Sequence, residues 1–221
     1  MDTEVILKQA LEALRAGGVI LYPTDTVWGI GCDATDPEAV ARVFAIKHRS
    51  EAKSLVLLAS DLDMVARFVR EIPPMAVDLV EVNDAPMTLI YPGALAAPAP
   101  SGAGEVCATA PAPSGCSGDS RRASSHRLLA WNVVAEDGSV GIRIPMAAFC
   151  RQLAYKLGRP IVSTSANISG EPTPLRFNEI PDEIKAACDY VCPPKTDTES
   201  TGKASQIIRI GLRGEVEIIR K

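Results

Sequence analysis

Two short segments carry side chains that could bind a phosphorylated small molecule. Residues 163–167 end a predicted buried strand with small hydroxyl and amide groups, and Lys47 and Arg49 stand two positions apart directly after an apolar helix. Cations neutralise phosphates, and a guanidinium can grip a phosphate in two places. Ser165 and Asn167 can hydrogen-bond a ligand without filling the space that it needs. The two segments together predict a pocket for a polar, phosphorylated ligand.

A third segment, residues 23–31, follows directly on a predicted strand. Strand ends are where α/β sheets place their ligands. Thr24 and Thr26 alternate along the chain, so both hydroxyls can face one side, and the nearby glycines let backbone approach a ligand closely. The alternative is a turn in which the two threonines hydrogen-bond their own backbone. The residues alone leave both interpretations open.

The lysine of the cationic pair occupies an unusual position. Lys47 continues the apolar stripe of its helix, so its ammonium either reaches solvent at the end of a buried stem or faces a site. With Arg49 and Lys53 it makes three cations in seven residues, which would also suit the negative end of a helix dipole. Helix geometry alone favours the solvent-reaching lysine.

Several common catalytic motifs are missing from the chain. It contains neither a Walker-type phosphate loop nor Gly-x-Gly-x-x-Gly, so side chains would have to hold a phosphate. It has no Gly-x-Ser-x-Gly elbow, and its two histidines, His48 and His126, argue against a Ser-His-Asp hydrolase. No carboxylates show metal spacing, so any Mg²⁺ would arrive with a nucleotide. Cys188 and Cys192 lack a second pair, which favours free thiols in a reducing cytosol over a metal site.

Composition bounds the class of protein. The 221 residues are 47% hydrophobic, enough for one domain with a sizeable core. A net charge of −4 argues against nucleic-acid binding over a broad surface, so any RNA contact would need a local patch. No apolar run approaches the roughly 20 residues of a membrane helix, and the acidic N-terminus does not resemble a signal peptide. We therefore expect a cytoplasmic protein without a membrane span.

Hydrophobic periodicity predicts alternating helices and strands, and hence an α/β domain around a mixed sheet. In the strand over 140–144, Arg143 alternates with apolar residues and is expected to point away from the core side. Expected helices cover 7–14, 36–47, 62–70 and 149–157; expected strands cover 19–22, 55–59, 87–91, 140–144 and 161–167, with a hairpin over 205–219.

One segment, residues 95–131, does not fit a compact domain. It is rich in Ala, Pro, Ser and Gly, shows no periodicity, and carries a short basic cluster near its end. Such a composition buries too little apolar surface to offset its ordering entropy, so disorder is expected. The alternatives are a flexible lid over the pocket, an inert insertion, or a stretch translated out of frame, and the inert readings are favoured.

Four motifs stand in order along the chain: residues 23–29 (Pro-Thr-Asp-Thr-Val-Trp-Gly), 47–49 (Lys-x-Arg), 141–145 (Gly-Ile-Arg-Ile-Pro) and 163–167 (Ser-Thr-Ser-Ala-Asn). Together they resemble the YrdC-like family of threonylcarbamoyl-adenylate synthases, in its single-domain form. The resemblance runs from Leu14 to the C-terminus, apart from 95–131. Trp28 replaces the family's usual tyrosine, and Ser54 stands where many members have proline.

The resemblance implies one domain over 1–221 with a twisted mixed sheet, flanking helices and a concave, locally positive cavity. It implies synthesis of L-threonylcarbamoyl-adenylate from L-threonine, bicarbonate and ATP, with Mg²⁺ accompanying the nucleotide and pyrophosphate released. The product would feed threonylcarbamoylation of tRNA by a separate transferase complex, with possible direct contact to tRNA.

The resemblance also assigns roles to individual residues. Lys47 and Arg49 would be catalytic and would contact the nucleotide. The remaining expected nucleotide contacts are Ser165, Asn167 and Ser205, and the expected substrate contacts are Thr24, Thr26, Lys53 and Arg143. Two alternatives to the synthase are a non-enzymatic RNA-binding member acting in tRNA or ribosome maturation and a relative that handles other carbamoyl adenylates.

Overall fold

The computed structural model of the protein describes residues 2–48, 55–100 and 128–221. Within those ranges, nine strands form one sheet and six α-helices accompany it. The strands are β1 (Ile20–Tyr22), β2 (Gly29–Gly31), β3 (Val56–Leu58), β4 (Met87–Tyr91), β5 (Val140–Arg143), β6 (Ile161–Ser165), β7 (Tyr190–Val191), β8 (Gln206–Ile210) and β9 (Val216–Arg220). The helices are α1 (Thr3–Arg15), α2 (Pro37–Ile46), α3 (Leu62–Ala66), α4 (Pro74–Val82), α5 (Ala148–Leu157) and α6 (Asp182–Ala187).

The strand order is β7-β1-β2-β6-β3-β5-β4-β8-β9. Pairs β1–β7, β3–β5 and β4–β8 are parallel and the other five are antiparallel, which confirms the predicted mixed sheet. In the parts of the chain that the structure describes, no helix combines the length and the apolar character needed to cross a bilayer.

The most periodic segments fold as predicted. Helix α1 buries its stripe from Ile6 to Leu14, and α2 begins after Asp36, whose carboxylate accepts the backbone N–H groups of Glu38 and Ala39. Helix α5 ends at Gly158, which adopts a φ of 74° that favours glycine. These local signals are enough to fix where the helices lie.

Three elements differ from expectation. Helix α3 is shorter than the predicted 62–70, and α4 was not predicted. The segment that contains Gly29 and Gly31 forms a strand, β2, between β1 and β6. A side chain at Gly31 would collide with the Val162 carbonyl and the Tyr22 ring, so the glycine permits the close strand approach.

Both ends of the unusual 95–131 segment are attached to the domain. Leu95 N donates to Phe68 O and Leu129 N donates to Leu95 O, both at 2.9 Å. Leu129 and Ala130 are fully buried. The expectation of disorder over 95–131 is therefore wrong for the two ends of the segment, and its residues 101–127 lie outside the described residues.

The Asp36 cap offers a test of how α2 is anchored. We expect Asp36→Ala to lower the free energy of unfolding by about 1 kcal/mol, because two N–H groups lose their acceptor. Asp2→Ala is the matched control, since Asp2 precedes α1 but makes no side-chain cap bond. Equal losses in the two variants, measured by urea unfolding, would contradict the assignment.

Candidate functional site

A cavity of about 340 Å³ opens on one face of the sheet. Its volume is at the lower end of the range for small-molecule sites. Hydroxyl groups, glycines and two guanidinium groups dominate its lining, which comprises Thr24, Thr26, Val27, Gly29, Val56, Arg143, Ser163, Thr164, Ser165, Thr173, Gly202, Ala204, Ser205, Ile207 and Arg220. Segments far apart in the chain therefore converge on one polar hollow.

The loop between β1 and β2 contributes a chain of hydrogen bonds. Arg143 Nη1 donates to Thr26 Oγ1 at 3.0 Å, Thr26 Oγ1 lies 2.8 Å from Thr24 Oγ1, and the Thr24 hydroxyl donates to Val27 O at 2.8 Å. Thr24 Oγ1 also accepts the backbone N–H of Thr26 at 3.1 Å. The threonines bond their own loop, as one of the two interpretations predicts, and they also line the cavity.

Arg143 is buried rather than pointed into solvent. It does lie on the opposite face of β5 from Ile142, as alternation predicts, but the cavity side of the sheet is covered as well. The Arg143 and Asp25 side chains are 4% and 3% exposed, and Nη1 lies 2.9 Å from Asp25 Oδ1. A buried cation requires such a counter-charge, since its desolvation is otherwise costly.

The guanidinium of Arg143 keeps unused donors. Its Nε atom has no hydrogen-bond partner among residues 2–48, 55–100 and 128–221. Within the same residues Asp25 Oδ1 accepts no hydrogen bond, so its contact with Arg143 Nη1 is an ion pair. Because Nε is itself buried, an anion would have to approach the guanidinium from the cavity that Arg143 lines.

Arg220 reaches the cavity through a β-bulge and was missed in the sequence. The β8–β9 pairing skips Ile219, so Arg220 lies opposite Ile207 and shares its cavity face. Its Nε and Nη2 donate to the Ser205 carbonyl at 3.0 and 2.8 Å. Burial, and then the charge of Arg143, lower the pKa of Arg220. The two guanidiniums line the same cavity and repel each other, so an anion bound there would offset their repulsion.

Residues 197–202 form hydrogen bonds with the loop that carries the two threonines. Ser200 Oγ donates to Thr26 O at 2.7 Å, and Gly202 N donates to the same carbonyl at 2.7 Å. The buried Trp28 indole donates to Asp197 Oδ2 at 2.7 Å. The tryptophan that departs from the family pattern thus helps to hold the segment leading to Ser205.

Lys47 is 3% exposed, so its ammonium does not reach solvent, contrary to the favoured reading. Its Nζ donates to the carbonyls of Ser165 and Asn167 and lies 3.4 Å from Asn167 Oδ1. Ser165 Oγ in turn donates to Asn167 Oδ1 at 2.5 Å. The three predicted residues therefore meet at the end of β6, with Ser165 on the cavity wall and Lys47 behind it.

The structure brings five of the predicted residues into the cavity: Thr24, Thr26, Arg143, Ser165 and Ser205. Lys47 and Asn167 stand behind this wall, and Arg49 and Lys53 lie outside the described residues. Sequence reasoning overlooked Asp25 and Arg220. Asp25 carries a readable signal, a charged residue between two alternating threonines, whereas the bulge that turns Arg220 has none.

The cysteines that the structure describes do not form a metal site. The structurally described residues contain no group of three or more His, Cys, Asp or Glu side chains able to hold a metal. Cys188 and Cys192 are free thiols. Burial raises the pKa of the Cys192 thiol to about 12, so it stays protonated at neutral pH and is a poor ligand.

The buried ion pair yields a stability prediction. Arg143→Leu should lower the free energy of unfolding by about 3–5 kcal/mol, because it leaves the Asp25 carboxylate buried without its cation. Arg209→Leu is the control: its pair with Asp137 is about half exposed and should contribute under about 1 kcal/mol. Adding Asp25→Asn to Arg143→Leu should recover part of the loss in urea unfolding. Equal losses for the two arginines would contradict the assignment.

Comparison with known proteins identifies relatives of the whole chain. The Sua5/YciO/YrdC family model, whose description reads "Telomere recombination", matches residues 12–113 and 120–221. A threonylcarbamoyl-AMP synthase of Stenotrophomonas maltophilia is 31% identical over 214 residues, covering 96% of this chain and 97% of that protein. One from Chromohalobacter salexigens is 33% identical over 180 residues, covering 81% and 80%.

The fold has a close structural counterpart. The crystal structure of P. abyssi Sua5 complexed with L-threonine has a TM-score of 0.72 at 23% identity, over 95% of this chain and 52% of that chain. The present chain therefore spans about half the length of that Sua5 chain, and this likeness concerns the fold. The family match and the full-length relatives establish that the chain belongs to the Sua5/YciO/YrdC family.

Proposed function

We propose that the protein synthesises L-threonylcarbamoyl-adenylate from L-threonine, bicarbonate and ATP, and releases pyrophosphate. The observation that carries this proposal is the cavity in which Arg143 and Arg220 face a wall of small hydroxyl groups. The relatives from Stenotrophomonas maltophilia and Chromohalobacter salexigens bear the name threonylcarbamoyl-AMP synthase, and P. abyssi Sua5 was solved with L-threonine.

The Arg143 end of the cavity is suited to the amino acid. A carboxylate in the cavity can pair with the Arg143 guanidinium that lines it, while the attraction to Asp25 keeps the guanidinium in place. Thr24 and Thr26 line this end of the cavity, and Thr26 Oγ1, which accepts from Arg143, can accept one further hydrogen bond from the substrate. Lys53 is a further proposed contact with this substrate. Ser205 remains a proposed contact with the nucleotide.

The end of β6 is suited to the nucleotide. Lys47, Ser165 and Asn167 form one hydrogen-bonded group there, with Ser165 open to the cavity. We assign Lys47 and Arg49 to the phosphates, and Arg220 adds a third cation from β9. Because the described part of the chain has no carboxylate cluster for a metal, Mg²⁺ would be held mainly by phosphate oxygens and would neutralise their charge.

The reaction needs positioning more than acid–base catalysis. The threonine amine and bicarbonate give a carbamate and water. A carbamate oxygen then forms a bond to the α-phosphorus as the bond to the β-phosphate oxygen breaks, and pyrophosphate leaves with the negative charge. Cations fixed near that charge stabilise the transition state. Holding three reactants together supplies much of the remaining acceleration.

The product is a reactive mixed anhydride, so a second catalyst must consume it. We propose that a separate transferase complex passes the threonylcarbamoyl group to an adenosine of tRNA. The four cysteines that the structure describes, Cys32, Cys150, Cys188 and Cys192, are free thiols, which supports a proposed location in a reducing compartment, the cytoplasm.

The activity is tested by incubating the pure protein with ATP, labelled bicarbonate and L-threonine. We expect pyrophosphate release that depends on threonine, together with a labelled adenylate. Omitting threonine or replacing it with serine should lower the rate, which separates this enzyme from one that handles other carbamoyl adenylates. Tight tRNA binding without pyrophosphate release would overturn the proposal in favour of an RNA-binding role.

The nucleotide end yields its own prediction. Lys47→Ala and Arg49→Ala should each reduce turnover by about 100-fold or more, as the loss of a single electrostatic donor does elsewhere. Lys8→Ala is the control, because Lys8 is exposed on α1. Thermal unfolding of each variant shows whether the fold persists. Folded variants at Lys47 and Arg49 that turn over at the parent rate would refute these roles.

A further inference from the structure

Asp25 ties together three separate segments around the cavity, although it does not line the cavity itself. We propose that Asp25 is a positioning residue for the amino-acid substrate: it holds the Arg143 guanidinium in the orientation that receives the substrate carboxylate. This inference rests on the proposed function, because it presumes that an amino acid occupies the Arg143 end of the cavity.

The Asp25 carboxylate fixes both ends of a short connection. Its Oδ1 lies 2.9 Å from Arg143 Nη1, and its Oδ2 accepts the backbone N–H of Met146 at 2.9 Å. Arg143 ends β5, and Met146 stands three residues later on the way into α5. The Asp25 side chain thereby holds the Arg143 guanidinium and the backbone of the turn that follows β5.

The Asp25 backbone fixes the segment on the other side of the cavity. Its carbonyl accepts the Thr201 N–H at 3.2 Å and the Thr201 hydroxyl at 3.0 Å. Gly202, the next residue, lines the cavity. A displacement of Asp25 would therefore move both the Arg143 guanidinium and residues 197–202.

The arrangement separates orientation from simple charge. Nη1 contacts both Asp25 and Thr26, which fixes the plane of the guanidinium while Arg143 still lines the cavity. Asp25 also offsets one of the two positive charges, those of Arg143 and Arg220. If it acted only through charge, removing it would strengthen anion binding. If it acts by orientation, removing it weakens threonine binding. The two mechanisms predict changes of opposite sign.

The test measures steady-state kinetics and L-threonine binding by calorimetry for Asp25→Asn. We expect the threonine KM and Kd to rise by about 10- to 100-fold, because a displaced Arg143 would lose a charged hydrogen bond to the threonine carboxylate. The ATP KM at saturating threonine should stay near the parent value. Asp33→Asn is the matched control, since Asp33 is buried and paired with Arg159 but lies away from the cavity lining. It should lower stability and leave threonine binding unchanged.

Two further variants keep the test decisive should Asp25→Asn fold poorly. Asp25→Glu retains the charge but moves the carboxylate by one methylene. If Asp25 acts by orientation, this variant should bind threonine more weakly. If it acts only by charge, threonine binding should not change. In an Arg143→Lys background, Asp25→Asn should add little to the threonine KM, because both act on one contact.

An unchanged or lowered threonine KM in folded Asp25→Asn, or fully additive effects with Arg143→Lys, would overturn the inference. The parent protein separates this failure from that of the proposed function. A parent that forms no threonylcarbamoyl-adenylate refutes the function. An active parent with an indifferent Asp25 refutes only the positioning role.

Discussion

A buried positive charge, the Arg143 guanidinium, is the constraint on which the site depends. A cation removed from water is tolerated only with a counter-charge and hydrogen bonds, and here Asp25 supplies the first and Thr26 the second. Both partners belong to the same loop after β1, so the loop and the end of β5 must fold against each other. Because Arg220 also lines the resulting cavity, the cavity carries more positive than negative charge, which favours an anionic ligand.

The remaining elements position small polar groups around the Arg143 charge and hold them in place. Strand β2 carries glycines where it passes between β1 and β6, so its neighbours can approach closely. Residues 197–202 bond the backbone of the threonine loop, and Trp28 anchors them through Asp197. Such a rigid, hydroxyl-lined hollow suits a reaction that needs three reactants aligned more than it needs a strong acid or base.

The sequence predicted the elements that carry strong periodicity, and its four ordered motifs pointed to five of the residues that line the cavity. It could not predict how the site is assembled. Alternation correctly turned Arg143 away from Ile142, yet it could not show that the second face of the sheet is also covered. Strict alternation in β9 would place Arg220 on the wrong face, since the bulge at Ile219 leaves no mark in composition. Helix geometry alone favours a solvent-reaching Lys47, because it gives no information about the distant carbonyls at the end of β6 that receive its ammonium.

The central claim is that the paired guanidinium of Arg143 receives the amino-acid substrate. A crystal structure of the protein with L-threonine and a non-hydrolysable ATP analogue tests it most directly. The account predicts the threonine carboxylate within about 3 Å of an Arg143 nitrogen, with the Asp25 contact retained and the triphosphate toward Lys47. Threonine bound elsewhere, or an Arg143 that leaves Asp25 and makes no contact with the ligand, would contradict it.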